Sequence, residues 1–425
     1  MMIPVRLALQ SSGLRPLRQR NDAGYIFHNG GKRCRLANHD AFIRFVTVLV
    51  EKVILRFLKK RQVIKKYDKT DNSLIKSKRK RLTQHAGHSI MIPQISQAPG
   101  LVQLVLTFLE AIQQQGFTGD SATSYADRLT MSTDNSIYQL LPDAVLFPRS
   151  TADVALIARV AAEPRFASLA FTPRGGGTGT NGQSLNQGIV VDMSRHMNRI
   201  LEINPEQGWV RVEAGVIKDQ LNAYLKPYGY FFSPELSTSN RATLGGMINT
   251  DASGQGSLVY GKTSDHVLGL RAVLLGGDIL DTREMPVELA EALAEESGLE
   301  GTIYRTVLER CRQQRSLIVE KFPKLNRFLT GYDLRHVLSD DLQRFDLTRI
   351  LCGAEGTLAF ISEARLDITP LPKVRRLVNI KYDAFDSALR NAPFMVEAQA
   401  LSVETVDSKV LNLAREDIVW HSVKE

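Results

Sequence analysis

Apolar positions along this chain follow two periods, and the change from one to the other marks out the elements. The order Ser150-Thr-Ala-Asp153, followed by Val154, Ile157, Ala158 and Ala161, predicts a capped helix with one buried face. A second helical stretch is expected at 101–114. A short strand at 168–172 follows the capped helix, and Trp209-Val-Arg-Val-Glu-Ala alternates as a half-buried strand should. Residues 188–192 and 200–203 join 209–213 as expected strands of one antiparallel or mixed sheet. Residues 216–228 predict an amphipathic helix closed by Gly229. Gly276-Gly277 between two apolar runs predicts a hairpin over 271–280. Residues 288–319 read as helical, and a new β/α pattern starts at Lys373. The sum is an α+β fold, without internal repeats.

Charge divides the chain unevenly. The overall balance over 425 residues is +9, but residues 1–90 carry 21 Lys/Arg against 5 Asp/Glu. That leaves the remainder with 33 against 40, mildly acidic. Residues 42–58 are apolar but broken by Arg44, Glu51, Lys52 and Arg56, so they do not read as a membrane span. The basic run ending in Lys76-Ser-Lys-Arg-Lys-Arg81 suits nucleic acid, anionic lipid or a targeting peptide. It equally suits a solvated, disordered tail, or sequence upstream of a start at Met91. No specific nucleic acid is expected as a partner. Cys34, Cys311 and Cys352 stand alone, with no C-x-x-C, which excludes a four-cysteine iron–sulfur site and points to a reducing compartment. The expected location is the cytoplasm, with a membrane surface or the mitochondrion as alternatives, and no metal site is expected.

The candidate chemistry lies in Pro173-Arg174-Gly175-Gly176-Gly177-Thr178-Gly179-Thr180-Asn181-Gly182. Glycines let backbone N–H groups gather around an anion, most simply a phosphate. A formal G-x-G-x-x-G at Gly177, Gly179 and Gly182 invites a Rossmann reading, but that fingerprint must open a helix. Here a strand-like run returns at Gly188. A flexible glycine turn is the plainer alternative.

Three further segments give the loop its context. Ser233-Pro234-Glu-Leu-Ser237 leads to Ala242-Thr243-Leu-Gly245-Gly246-Met-Ile-Asn249-Thr-Asp-Ala-Ser253-Gly254, a polar loop entering a Gly-Gly helix start. Asn326-Arg-Phe-Leu-Thr-Gly331-Tyr332-Asp333-Leu334 and Cys352-Gly-Ala-Glu355-Gly356-Thr-Leu-Ala-Phe-Ile361 follow. In this order the four motifs resemble the flavin domain of the vanillyl-alcohol-oxidase-type FAD proteins, from about Met91 to Pro372. Within them the chain resembles the dehydrogenases of D-2-hydroxyglutarate, D-lactate and glycolate. It is most similar to the N-terminal part of large bacterial members that carry an iron–sulfur domain behind the flavin.

The resemblance implies a two-part PCMH-type FAD-binding domain over 91–372, behind a 1–90 extension, and the truncated start of an α/β substrate cap at 373–425. Arg174 through Asn181 would cradle the FAD diphosphate. Gly245 and Gly246 would let a second segment approach the flavin, with Thr243, Asn249 and Ser253 beside it and Pro234, Ser237 and Gly254 completing that wall. Glu355, Gly356 and Ile361 would line the adenine and ribityl side. Many relatives attach flavin to a histidine in the first loop; glycine and threonine stand here, so FAD is expected to be non-covalent. The implied reaction oxidises a small D-2-hydroxy acid to the 2-oxo acid, with hydride passing from C2 to flavin N5. Electrons would leave to a quinone or an electron-transfer protein. Alternatives are an oxygen-reducing oxidase of an alcohol or sugar, and an inactive flavin-binding fragment with a basic tail. A base must take the hydroxyl proton. His266 and His336 are the available histidines near the motifs, and hydrogen-bonded structural roles suit both, so no catalytic residue is assigned. Relatives place carboxylate ligands, a metal-binding histidine cluster and a catalytic histidine farther along the cap, beyond Glu425.

Overall fold

Three strands of the first sheet run parallel, two of them fully buried. Ala144–Phe147 pairs with Ile189–Asp192, which pairs in turn with Phe171–Arg174, and Asp120–Ala122 closes the other edge antiparallel. Every residue of Ala144–Phe147 and Ile189–Asp192 is buried, as expected of parallel strands covered on both faces. The helices Gln103–Gln114 and Thr151–Ala161 cover one face, and Ala122 and Met131 pack against the other. Ser150 caps the second helix by accepting the Asp153 N–H, and Val154, Ile157 and Ala158 turn inward as their spacing predicts. Phe108 and Phe166 meet edge to face at 5.2 Å in this core.

A second sheet is wholly antiparallel, in the order Ile279–Arg283, Val267–Val273, Phe360–Asp367, Trp209–Glu213, Ile200–Asn204. The single sheet expected for 188–192, 200–203 and 209–213 is therefore two. Ile189–Asp192 belongs with the parallel strands because the Thr151–Ala161 crossover and the glycine loop return the chain in the same direction. The hairpin at Gly276 and Gly277 is present, both with φ near +100° (107° and 89°). Helices Lys218–Leu225 and Leu244–Asn249 bury Leu221, Leu225, Leu244, Met247 and Ile248 against this sheet. The 288–319 stretch is three helices, Val287–Glu295, Leu299–Gln313 and Arg315–Lys321, interrupted at Gly298 (φ +104°) and packed around Tyr304 and Phe345.

The structure, a computed structural model, describes residues 3–10, 102–325 and 331–422. The basic run, Met91 and positions 326–330 of the Asn326–Leu334 motif lie outside the described residues. The chain divides into two units, residues 98–371, which hold both sheets above, and residues 1–97 with 372–425. In the latter, Ile3–Gln10 pairs antiparallel with Arg375–Tyr382 on one side and Ala400–Thr405 on the other. Helices Phe385–Glu397 and Ser408–Arg415 alternate with those strands, the second capped by Asp407. No helix among the described residues is long and apolar enough to cross a membrane.

Candidate functional site

The strand Phe171–Arg174 delivers the glycine loop at its carboxyl end, and turns rather than a helix carry the chain to Ile189. The Rossmann geometry is thus absent here. Among the described residues, none of the backbone N–H groups from Gly176 to Thr180 is spent on a protein acceptor, whereas the Asn181 N–H is taken by Gln183. Such a run of unspent donors is what an anion site requires.

The glycines are also demanded by packing. A Cβ on Gly175 would lie 2.0 Å from Thr243 Oγ1, and one on Gly176 2.0 Å from the Arg241 carbonyl oxygen. Gly177, at φ +59°, sits against the Arg174 guanidinium, and Gly179 against the Gln183 amide. Arg174 is buried, and its Nη2 donates to the Thr133 carbonyl at 2.7 Å. A strap at 131–138 follows the loop: the Asn135 N–H donates to the Gly177 carbonyl, and Ser184 donates to Asp134.

The second segment meets the loop at Thr243. Its hydroxyl caps Leu244–Asn249 by accepting the Gly246 N–H, while Gly245 approaches Ala214 too closely for any side chain (Cβ to Cβ 2.8 Å). Pro234 is buried and Ser237 exposed; Gly254 packs its Cα against the Glu235 carbonyl, which ties Ser253-Gly254 to the 233–237 loop.

The third segment docks on both others. Asn249 accepts the Gly356 N–H with its side chain (3.1 Å) and the Glu355 N–H with its backbone (2.8 Å). Gly356, at φ +74°, lies on Pro173, where a Cβ would come within 2.5 Å of the ring. Glu355 itself takes φ +53°, a conformation a non-glycine residue enters at some cost. Loss of surrounding water pushes its carboxyl up, opposed by a hydrogen bond from Gln183. Ile361 departs from expectation: its side chain is buried in the core of the antiparallel sheet, paired to Ala272, and faces neighbouring side chains there.

Two cavities flank this junction. One of about 410 Å3 is lined by Asn181, Thr250, Asp251, Lys262, Asp333 and Glu355 among others, and one of about 230 Å3 by Gly176, Asn198, Gly215, Ile217, Arg241 and Thr243 among others. In the larger, Lys262 Nζ meets Asp251 Oδ2 at 2.6 Å with both side chains buried. Burial alone would raise the Asp333 carboxyl, but the hydrogen bond from His336 and the charges of His336 and Lys262 hold it below its ordinary value. Tyr332 OH bonds Thr357 Oγ1 at 2.6 Å across the same rim. Sequence reasoning passed over Gln183, Arg241, Asp251 and Lys262; only the position of Gln183, directly after the glycine run, gave a signal.

His266 lines neither cavity. Its Nε2 donates to the Tyr260 carbonyl at 2.7 Å and its Nδ1 lies 3.2 Å from Asp367 Oδ2. It is hydrogen-bonded immediately before the strand Val267–Val273. His336 is engaged by Asp333.

Residues 142–283 match the FAD binding domain family, and residues 371–425 match the FAD linked oxidases, C-terminal domain. An unspent N–H loop, a parallel and an antiparallel sheet, and these two matches in series define an FAD flavoprotein. The chain thus carries an FAD binding domain and a segment similar to the C-terminal domain of FAD linked oxidases, which supports FAD as its cofactor. D-2-hydroxyglutarate dehydrogenase of Pantoea ananatis is 86% identical over 335 residues, which is 79% of this chain and 33% of that protein. The enzymes of the same name in Escherichia coli and Haemophilus influenzae are 84% identical over 335 residues and 60% over 338, with the same coverage. The chain spans about a third of the length of these curated relatives.

Proposed function

We propose that this chain forms the FAD-holding part of a dehydrogenase that oxidises D-2-hydroxyglutarate to the 2-oxo acid. The observation that carries this reading is identity of 84–86% over 335 residues to proteins named for that activity.

FAD, bound non-covalently, supplies the hydride acceptor. This chain's own residues do the holding. The N–H groups of Gly176 through Thr180, with Gly175 and Asn181, meet the diphosphate. Thr243, Gly245, Gly246 and Asn249 form the second wall, with Pro234, Ser237, Ser253 and Gly254 behind it, and Glu355 and Gly356 form the third. Ile361 contributes as packing under that wall. A quinone or electron-transfer protein fits as acceptor, because the loop opens no helix of the NAD type. Buried, unbridged Cys311 and Cys352 suit a reducing cytoplasm. We assign the flavin domain to 91–372 and the start of the substrate cap to 373–425, a division that agrees with the unit boundary after Leu371.

The test is an absorbance spectrum of the purified chain, repeated after anaerobic D-2-hydroxyglutarate or D-lactate. Flavin bands are expected, and bleaching by D-2-hydroxyglutarate but not by D-lactate would identify the substrate. Folded protein that takes up no flavin would overturn the reading.

A further inference from the structure

Arg174 is a cation buried in the support of the glycine loop, 9% exposed, with neutral partners only. Nη2 donates to Thr133 O at 2.7 Å; Nη1 reaches Met131 O at 3.3 Å and Ser184 O and Oγ at 3.5 Å. Asp192 and Asp134 act on it through space, without an ion pair. Asp192 Oδ1 and both Asp134 oxygens have other partners. Asp192 Oδ1 accepts from the Ser194 N–H and hydroxyl and the Arg195 N–H; Asp134 accepts from the Ser136 N–H and the Ser184 hydroxyl. Directly above the guanidinium runs the loop backbone, since a Cβ on Gly177 would lie 2.6 Å from Nη2. The unspent N–H groups belong to this same stretch of backbone.

A buried cation with no carboxylate in hydrogen-bond contact is only partly compensated, and an anion held by the loop would relieve it further. We propose that Arg174 acts on a bound diphosphate from beneath the glycine loop, as a buried charge that the ligand completes, and does not itself bond the phosphates. The proposal rests on the reading of the loop as the FAD diphosphate site. It makes the loop's affinity depend on the charge at 174 more than on the bracing hydrogen bonds that the same side chain makes.

Two substitutions separate charge from bracing in the full-length protein. Arg174→Lys keeps the charge and loses the fork; Arg174→Gln keeps a donor and loses the charge. FAD affinity of the apoprotein, read by quenching of flavin fluorescence at low and high salt, should fall roughly 10- to 100-fold in R174Q and only a few-fold in R174K. R174Q should also lose most of the salt dependence, and inorganic pyrophosphate should raise the melting temperature of wild type but not of R174Q. Equal losses in both variants with unchanged salt dependence would show a brace alone and overturn the proposal. If R174Q does not fold, Asp134→Asn decides the matter: it removes a compensating charge while keeping an acceptor for Ser184, so FAD should bind more tightly, and unchanged or weaker binding overturns the proposal. Wild type that binds neither FAD nor pyrophosphate would instead remove the loop reading itself.

Discussion

Asn249 joins the second and third segments with one residue. Its side-chain oxygen accepts from Gly356, its backbone oxygen from Glu355, and its amide donates to the Gly245 carbonyl a turn earlier. The type of residue was legible, since a short amide after a Gly-Gly helix start satisfies nearby backbone groups, but its partner across the sequence was not. Arg174 shows the same limit: the sequence shows a cation in a glycine loop and is silent on which side of the backbone it lies. His266 was read as structural, and its surroundings make that reading quantitative. Burial alone would lower its pKa; the hydrogen bond to Asp367, the Tyr260 carbonyl, and the charges of Asp367 and Asp265 outweigh it and raise the value above 6.5. A raised folded value means the protonated ring stabilises the fold fully below about pH 6.5, an advantage lost as pH rises through the folded value. Urea denaturation of wild type and His266→Gln should therefore differ more at pH 5.5 than at pH 8.5. A difference that is flat or grows with pH would contradict the protonated ring.

At the scale of elements, turn glycines were the most readable features, and the structure sorts them into two kinds. Gly229 closes Lys226–Tyr228 at φ +80° with nothing within 4 Å of where a Cβ would go. Gly356 has a similar φ of +74° but lies on Pro173. Alanine at 229 should cost about 1 kcal/mol, the strain of a left-handed residue alone. Alanine at 356 should cost roughly 2–4 kcal/mol, because Pro173 must move as well and the Asn249 hydrogen bond moves with it. G356A should also weaken FAD binding, while G229A leaves it unchanged; thermal melts and flavin titration of both variants check this. Strand membership was less legible. Residues 188–192 are a continuous apolar run and 209–213 alternate; the patterns bear on how far each strand is buried, but not on which strands it pairs with.

For the molecule as a whole, three distant stretches meet at one junction in residues 98–371, and FAD stabilises whatever arrangement binds it. At about 100 times its Kd, FAD should add about 2.7 kcal/mol and raise the melting temperature by roughly 5–10 °C. A melting temperature indifferent to FAD would mean that the junction is not where the cofactor binds. The order of motifs identified the flavin domain, because four loops with fixed chemistry leave few alternatives even where each alone is ambiguous. What the sequence could not supply was mutual geometry: the unspent donors, the cation beneath them, and the wall formed by Glu355.

The contact between Gly356 and Pro173 also has a bearing on time. The two residues are far apart along the chain, and the parallel strands beside them need crossovers before they can pair. Assembly of such non-local contacts is slow, and elements made first must wait for those made last. During synthesis the glycine loop therefore emerges long before its third wall exists. If the third wall belongs to the flavin site as proposed, flavin capture comes late, after the ribosome has passed Gly356.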